Sequence, residues 1–193
     1  MVQFTVSISM KLFRKIIAIL FFSSPLLAYA QGEEYIEWTA NSRLNWDDYL
    51  AEPPPKSDAA AITNTAIGME YHIRNNALSF TITCRFSKTK SWGRQKTAYI
   101  LRHEQGHFDI TEIFARKLAK ELQEYKFNPH NYEKELNKIY RTVMDEEEEY
   151  QNKYDQETDF SRNQEKQQEW FDKIKRDLDD TQELANAQSS ARI

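Results

Sequence analysis

The residue composition changes near the middle of the chain, and this change restricts the possible folds. Residues 31–92 are rich in β-forming and turn-forming residues. From Thr97 onward the chain is highly charged and contains a single proline, Pro129. A run of strands followed by a run of helices is typical of α+β proteins, whereas a parallel sheet would require alternating strands and helices. We therefore expect an α+β fold.

Two alternating segments in the first half predict an antiparallel β-hairpin. Apolar residues recur at every second position towards the end of residues 59–74, and again through Leu78–Phe86. Asn75 and Asn76 lie between the two segments, and asparagine tolerates the positive φ that tight hairpin turns require. The alternation places one apolar face of this N-terminal sheet against the rest of the protein.

The second half predicts three helices. Thr97 can cap the first helix, whose apolar side chains recur at helical spacings, and Pro129 lies just beyond its end. The predicted helices cover residues 98–126, 131–153 and 161–178, with a polar connector over residues 154–160.

Residues 1–30 contain the three parts of a secretory signal peptide. Three basic residues between Lys11 and Lys15 precede an apolar run over residues 16–27, and the small-x-small sequence Ala28-Tyr29-Ala30 follows. This order is typical of a signal peptide that is cleaved after Ala30, and the apolar run is too short to span a bilayer comfortably. The predicted organisation is a signal peptide (1–30), a single domain (31–180) and a flexible tail (181–193).

The acidic charge of the chain argues against nucleic acid as a partner. The formal net charge is −4, and removal of the basic leader makes the mature chain more acidic still. No basic excess remains for binding nucleic acid, and no second hydrophobic segment remains as a membrane anchor after cleavage. We expect a periplasmic or secreted protein.

The sequence His103-Glu104-Gln105-Gly106-His107 is an H-E-x-x-H motif within the first predicted helix. Because four residues advance a helix by slightly more than one turn, both imidazoles project from one face and can bind one Zn²⁺. Glu104 lies on the adjoining side, where it can take a proton from water without being a ligand. Gly106 indicates that another group approaches the helix closely, since glycine destabilises a helix interior by about 1 kcal/mol. The alternative is that two exposed histidines flank a glutamate by chance.

A wider set of residues resembles a known family. Ile100–Ile110, with Ser91-Trp92 before it and Tyr154–Thr158 after it, resembles the bacterial domain of unknown function 922, a family of predicted secreted zinc-dependent proteases. Arg43–Tyr49 resembles the N-terminal signature of that family. The resemblance implies a zincin-like metallopeptidase that acts on a peptide or protein substrate and is exported by a Gram-negative bacterium. It also implies that the two motif histidines are zinc ligands and the motif glutamate is the general base.

The sequence does not identify the third zinc ligand. The family pattern has a histidine where this chain has Phe160, and a catalytic zinc needs three protein ligands besides water. Asp155 is the first candidate, because carboxylate oxygen binds Zn²⁺ at a distance similar to that of imidazole nitrogen. Phe160 itself either replaces the ligand or packs in the core. The remaining candidates are Glu157, Asp159, His72, His130 and the acidic run over residues 145–149.

Three functions are therefore under consideration. The first is a zinc metallopeptidase that hydrolyses peptide bonds. The second is a catalytically impaired zincin-like binding protein, because Phe160 stands in place of a possible third ligand. The third is a helical interaction protein that binds a partner through its acidic C-terminal helices. The substrate preference and the oligomeric state are not specified by any of these residues.

We expect the mature protein to begin at Gln31, because the leader has a basic segment, an apolar segment and a small-x-small cleavage site. N-terminal sequencing of protein recovered from outside the cytoplasm measures this directly. A mature protein that still begins at Met1 or Met10 would contradict the prediction.

Overall fold

The computed structural model describes residues 33–182, which form antiparallel strands followed by three helices. The α+β class predicted from the sequence is thereby confirmed. The predicted signal peptide and residues 183–193 of the predicted tail lie outside the described residues. Within the described range, no helix combines the length and the apolar character needed to cross a membrane.

The strands form two antiparallel sheets. They are β1 (Tyr35–Glu37), β2 (Ala61–Ile62), β3 (Thr65–Arg74), β4 (Ala77–Ser87) and β5 (Trp92–Gly93). The larger sheet has the order β1-β4-β3, and β2 pairs with β5. β3 and β4 are the predicted hairpin, and its turn residues Asn75 and Asn76 have φ angles of 52° and 59°. Alternate residues of β4, including Ile82 and Phe86, are buried beneath the helices.

The helices are α1 (Ala98–Glu124), α2 (Tyr132–Glu157) and α3 (Gln164–Asp180). Thr97 caps α1 as predicted, since its side chain accepts a hydrogen bond from the backbone N–H of Ile100. The prediction that residues 154–157 form a connector is wrong, because these residues are the last turn of α2. Tyr154 is fully buried, and this burial stabilises a turn whose polar neighbours suggested a loop.

Helix α1 lies between the larger sheet and the other two helices. On the sheet side, the ring of Phe108 is 5.9 Å from that of Phe86 on β4. On the other side, Phe114 of α1 contacts Tyr150 of α2, and Trp170 of α3 packs on Tyr154. This central position brings side chains from α2 and α3 close to the H-E-x-x-H segment.

Candidate metal centre

Three side chains from α1 and α2 meet with one ligand atom each. His103 Nε2, His107 Nε2 and Asp155 Oδ1 are separated by 3.2 Å in each of the three pairs, and the group is one that could hold a metal ion. In a tetrahedral shell with zinc–ligand bonds of about 2.0–2.1 Å, two ligand atoms lie about 3.3–3.4 Å apart. The triangle therefore has nearly the dimensions of one face of a zinc coordination tetrahedron.

The positions of the three residues follow from the two helices. His103 and His107 are four residues apart on α1, and their rings are 4.8 Å apart and nearly perpendicular. Asp155 was expected on a loop that would fold over α1. It lies instead in the last turn of α2, next to the buried Tyr154. A carboxylate on a packed helix is held more rigidly than one on a loop.

Two glutamines form hydrogen bonds with the Nδ1 atoms of the two imidazoles. Gln167 Oε1 lies 2.7 Å from His103 Nδ1, and Gln151 Oε1 lies 2.7 Å from His107 Nδ1. The amide nitrogens are also engaged, because Gln167 donates to the hydroxyl of Tyr154 and Gln151 donates to the carbonyl of His107. Since an amide oxygen only accepts, each Nδ1 carries a proton and each Nε2 faces the other ligand atoms.

Neither glutamine was predicted from the sequence. Gln151 precedes Asp155 by four residues, so both lie on one face of α2. Had residue 155 been predicted to lie in the second helix, this spacing would have indicated that Gln151 lies beside Asp155. Gln167 belongs to α3 and is 64 residues away from His103. No local sequence pattern connects such distant residues.

The charges of the cluster are strongly coupled. Burial disfavours the charged imidazole of His107, but the hydrogen bond to Asp155 and its charge outweigh burial and raise the pKa of His107 to about 9. Burial also disfavours the charged form of Asp155, yet its hydrogen bonds to His103 and His107 hold the pKa of this carboxyl below its usual range. Without a metal, a proton on His107 therefore neutralises Asp155 at neutral pH. A divalent cation that binds here displaces that proton.

The cluster opens into a cavity of about 960 Å³. Glu104 lines the cavity beside the two histidines and is only 5% exposed. Within residues 33–182, its carboxylate has no hydrogen-bond or ion-pair partner. Residues 58–65, which include β2, also line the cavity. The arrangement places a carboxylate that has no partner among the described residues next to three potential metal ligands.

The other candidates for the third ligand lie outside the triangle. Glu157 accepts a hydrogen bond from the indole of Trp170, and Asp159 forms an ion pair with Arg162. The two remaining histidines are exposed: His72 on β3 and His130 before α2. In the acidic run, Glu147 does line the cavity, where it accepts a hydrogen bond from Thr111.

Phe160 lies at the border of the same cavity and not in the core. Its side chain is 57% exposed, so the alternative that it packs in the core is wrong. Asp159, Phe160 and Ser161 all have positive φ angles, which turn the chain sharply between α2 and α3. Because this turn directs the ring outward, Phe160 contributes nothing to the hydrophobic core.

One protein family matches the chain. The model of a family described as "Bacterial protein of unknown function (DUF922)" matches residues 30–164, which is more than half of the chain. The matched range includes all residues of the metal-ligand triangle and ends just before Gln167. No curated protein and no solved structure matches. The family description names no activity, so the function has to be inferred from the site.

We expect Gln151→Leu to lower the affinity for Zn²⁺ by about 10- to 100-fold, because leucine removes the acceptor that orients His107. Gln167→Leu should act in the same way through His103. The matched control is Gln168→Leu, since Gln168 is exposed and its amide contacts only Asp172. Competition with a chromogenic chelator measures the affinity, and circular dichroism monitors folding. Wild-type affinity in both folded variants would show that the glutamines do not orient the ligands.

Proposed function

This chain belongs to the DUF922 family of bacterial proteins of unknown function, and we propose that it is a zinc-dependent metallopeptidase with a zincin-like site. The triangle formed by His103 Nε2, His107 Nε2 and Asp155 Oδ1 supports this function most directly. Three protein ligands are typical of catalytic zinc, whereas structural zinc usually has four. The H-E-x-x-H helix beside an antiparallel sheet also agrees with a zincin-like architecture.

The kinds of donor atom favour zinc over the common hard cations. Mg²⁺ and Ca²⁺ prefer shells of oxygen ligands, whereas two of the three atoms here are imidazole nitrogens. The hydrogen bonds from both Nδ1 groups to glutamine oxygens hold the imidazoles in the tautomer that a metal requires. The same residues could bind Ni²⁺ or Cu²⁺ in vitro, so the metal is best identified in protein purified without added ions.

Glu104 is the proposed general base. Bound Zn²⁺ would polarise the carbonyl of a peptide bond and lower the pKa of a water molecule. The Glu104 carboxylate faces the same cavity and has no partner within residues 33–182, so it is free to accept a proton from that water. The proton can then be returned to the amine nitrogen of the leaving group.

The cavity suggests the class of substrate. Its volume of about 960 Å³ can hold a short segment of extended polypeptide. Its walls carry Asp58, Glu147 and Glu148 in addition to the residues of the site, and Arg162 is the only lysine or arginine among the lining residues. This excess of negative charge disfavours acidic substrates. We therefore propose an unstructured, neutral or basic peptide as substrate, cleaved in the periplasm or outside the cell.

The alternative function is a zincin-like binding protein with impaired catalysis. It was suggested by Phe160, which stands where a third ligand was expected. Asp155 supplies a third ligand atom at the same distances as the histidines. A residue at position 160 is therefore not needed to complete the set, and this favours the active enzyme.

We expect purified wild-type protein to contain about one Zn²⁺ per chain and to cleave fluorescence-quenched peptides. Glu104→Gln should keep the zinc and lose hydrolysis, because the change removes a base and not a ligand. Asp155→Ala should lower zinc affinity at least about tenfold, because the ion loses one of three protein ligands. Elemental analysis and peptide hydrolysis are the measurements.

Asp159→Asn is the matched control, because Asp159 is an exposed carboxylate that pairs only with Arg162, and asparagine tolerates its positive φ. It should change neither zinc content nor hydrolysis. Loss of zinc in Glu104→Gln would mean that the roles of base and ligand are wrongly assigned. Full zinc binding without hydrolysis of any peptide by the wild type would favour the binding protein.

A further inference from the structure

Strand β3 forms one edge of the larger sheet, because within residues 33–182 it pairs with β4 alone. The pairing runs without a bulge from Thr65 to Arg74, and residues 70–74 are all exposed. The strand contains neither lysine nor proline, the residues that commonly protect an edge strand from pairing with another chain. This part of the edge is therefore open to a further strand.

The hairpin turn determines which backbone groups face outward. A residue next to a two-residue turn belongs to a hydrogen-bonded pair, and such pairs recur at every second position. Arg74 is that residue here, so the backbone groups of Tyr71 and Ile73 point away from β4. Further along the same edge, the Tyr140 hydroxyl donates to the carbonyl of Ile67. No group of the described residues bonds to the outward backbone groups of Tyr71 and Ile73, which are thus available to a strand of another molecule.

The sequence of this open edge is complementary to itself. If two copies of β3 pair antiparallel about His72, Glu70 of each copy lies opposite Arg74 of the other, and Tyr71 lies opposite Ile73. Pairs of opposite charge and pairs of an aromatic with a β-branched residue both stabilise antiparallel strands. Neither Glu70 nor Arg74 has an ion-pair partner among the described residues. A pairing centred on Tyr71 or on Ile73 would lose both ion pairs, so the charges select one register.

We propose that this protein forms a two-fold symmetric homodimer in which the two β3 strands pair antiparallel about His72. The two larger sheets then form one continuous sheet with the strand order β1-β4-β3-β3-β4-β1. Each contact occurs twice, because a two-fold interface uses the same surface of both copies. The interface is small compared with the roughly 20–30 residues that each partner contributes to a standard one, so the dimer should dissociate on dilution. This inference does not depend on the proposed peptidase function.

Sedimentation velocity of the full mature chain over a series of concentrations tests the dimer. We expect the wild type to dimerise with a Kd below about 1 mM. Arg74→Glu should weaken dimerisation by about tenfold, because it places like charges opposite each other at two symmetric positions. Adding Glu70→Arg to that variant should restore dimerisation, because both ion pairs are then present in reversed order.

Arg176→Glu is the matched control, because it makes the same change of charge at an exposed position of α3. It should leave dimerisation unchanged. A wild type that stays monomeric at every concentration would overturn the proposal and leave the edge to a strand of a different protein. A dimer that is insensitive to Arg74→Glu, or that the second charge reversal fails to restore, would show that the copies meet elsewhere.

A disulfide tests the register directly. The Cα atoms of the two His72 residues should lie about 4.5 Å apart, as in a non-hydrogen-bonded pair, and a disulfide can span this distance. Oxidation of the His72→Cys protein should therefore give a covalent dimer in non-reducing electrophoresis. The native Cys84 is buried and should not contribute.

Ser79→Cys is the matched control for the disulfide, because Ser79 lies opposite His72 on β4. It is one strand further from the symmetry axis, so its two copies would be about 14 Å apart, too far for a disulfide. The Ser79→Cys protein should remain monomeric in the same electrophoresis. Equal cross-linking of the two variants, or none in His72→Cys, would overturn the pairing of the two β3 strands.

Discussion

The ring of Tyr154 packs against α1 at Gly106, and the arrangement of the metal centre depends on this contact. A Cβ atom at position 106 would lie 2.5 Å from the Tyr154 hydroxyl, so the close approach requires glycine. The ring stacks on His103 at 4.6 Å, and its hydroxyl donates to the His103 carbonyl while it accepts from Gln167. Because Asp155 is the next residue of α2, this packing also brings its carboxylate, the third potential metal ligand, to the histidines. Gly106 is thus explained by helix packing.

The parts of the fold and site that depend on local sequence were predictable. The hairpin of β3 and β4 follows from alternation and two asparagines, and α1 follows from its cap and periodicity. The spacing of His103 and His107 placed both on one helix face. The last turn of α2 was not predictable, because it is stabilised by burial of Tyr154 against distant residues. Gln167 was missed for the same reason, since its contact with His103 exists only when α3 packs on α1.

The cavity contains one carboxylate that the rest of the described chain does not bond. Glu104 lines the cavity, and its carboxylate has no hydrogen-bond partner within residues 33–182. By contrast, the imidazoles and their glutamines are bonded at both ends. If the Glu104 carboxylate had no function, an apolar residue at this position would make the protein more stable. The proposed base thus has rigid surroundings but remains free to form hydrogen bonds with other molecules.

Anomalous diffraction from zinc-loaded crystals tests most directly whether one metal ion binds to the two histidine Nε2 atoms and one carboxylate oxygen. We predict a single anomalous peak about 2.0–2.1 Å from His103 Nε2, His107 Nε2 and Asp155 Oδ1. A peak coordinated by His72 or His130, or contact with the histidines alone while Asp155 points away, would contradict this account of the site.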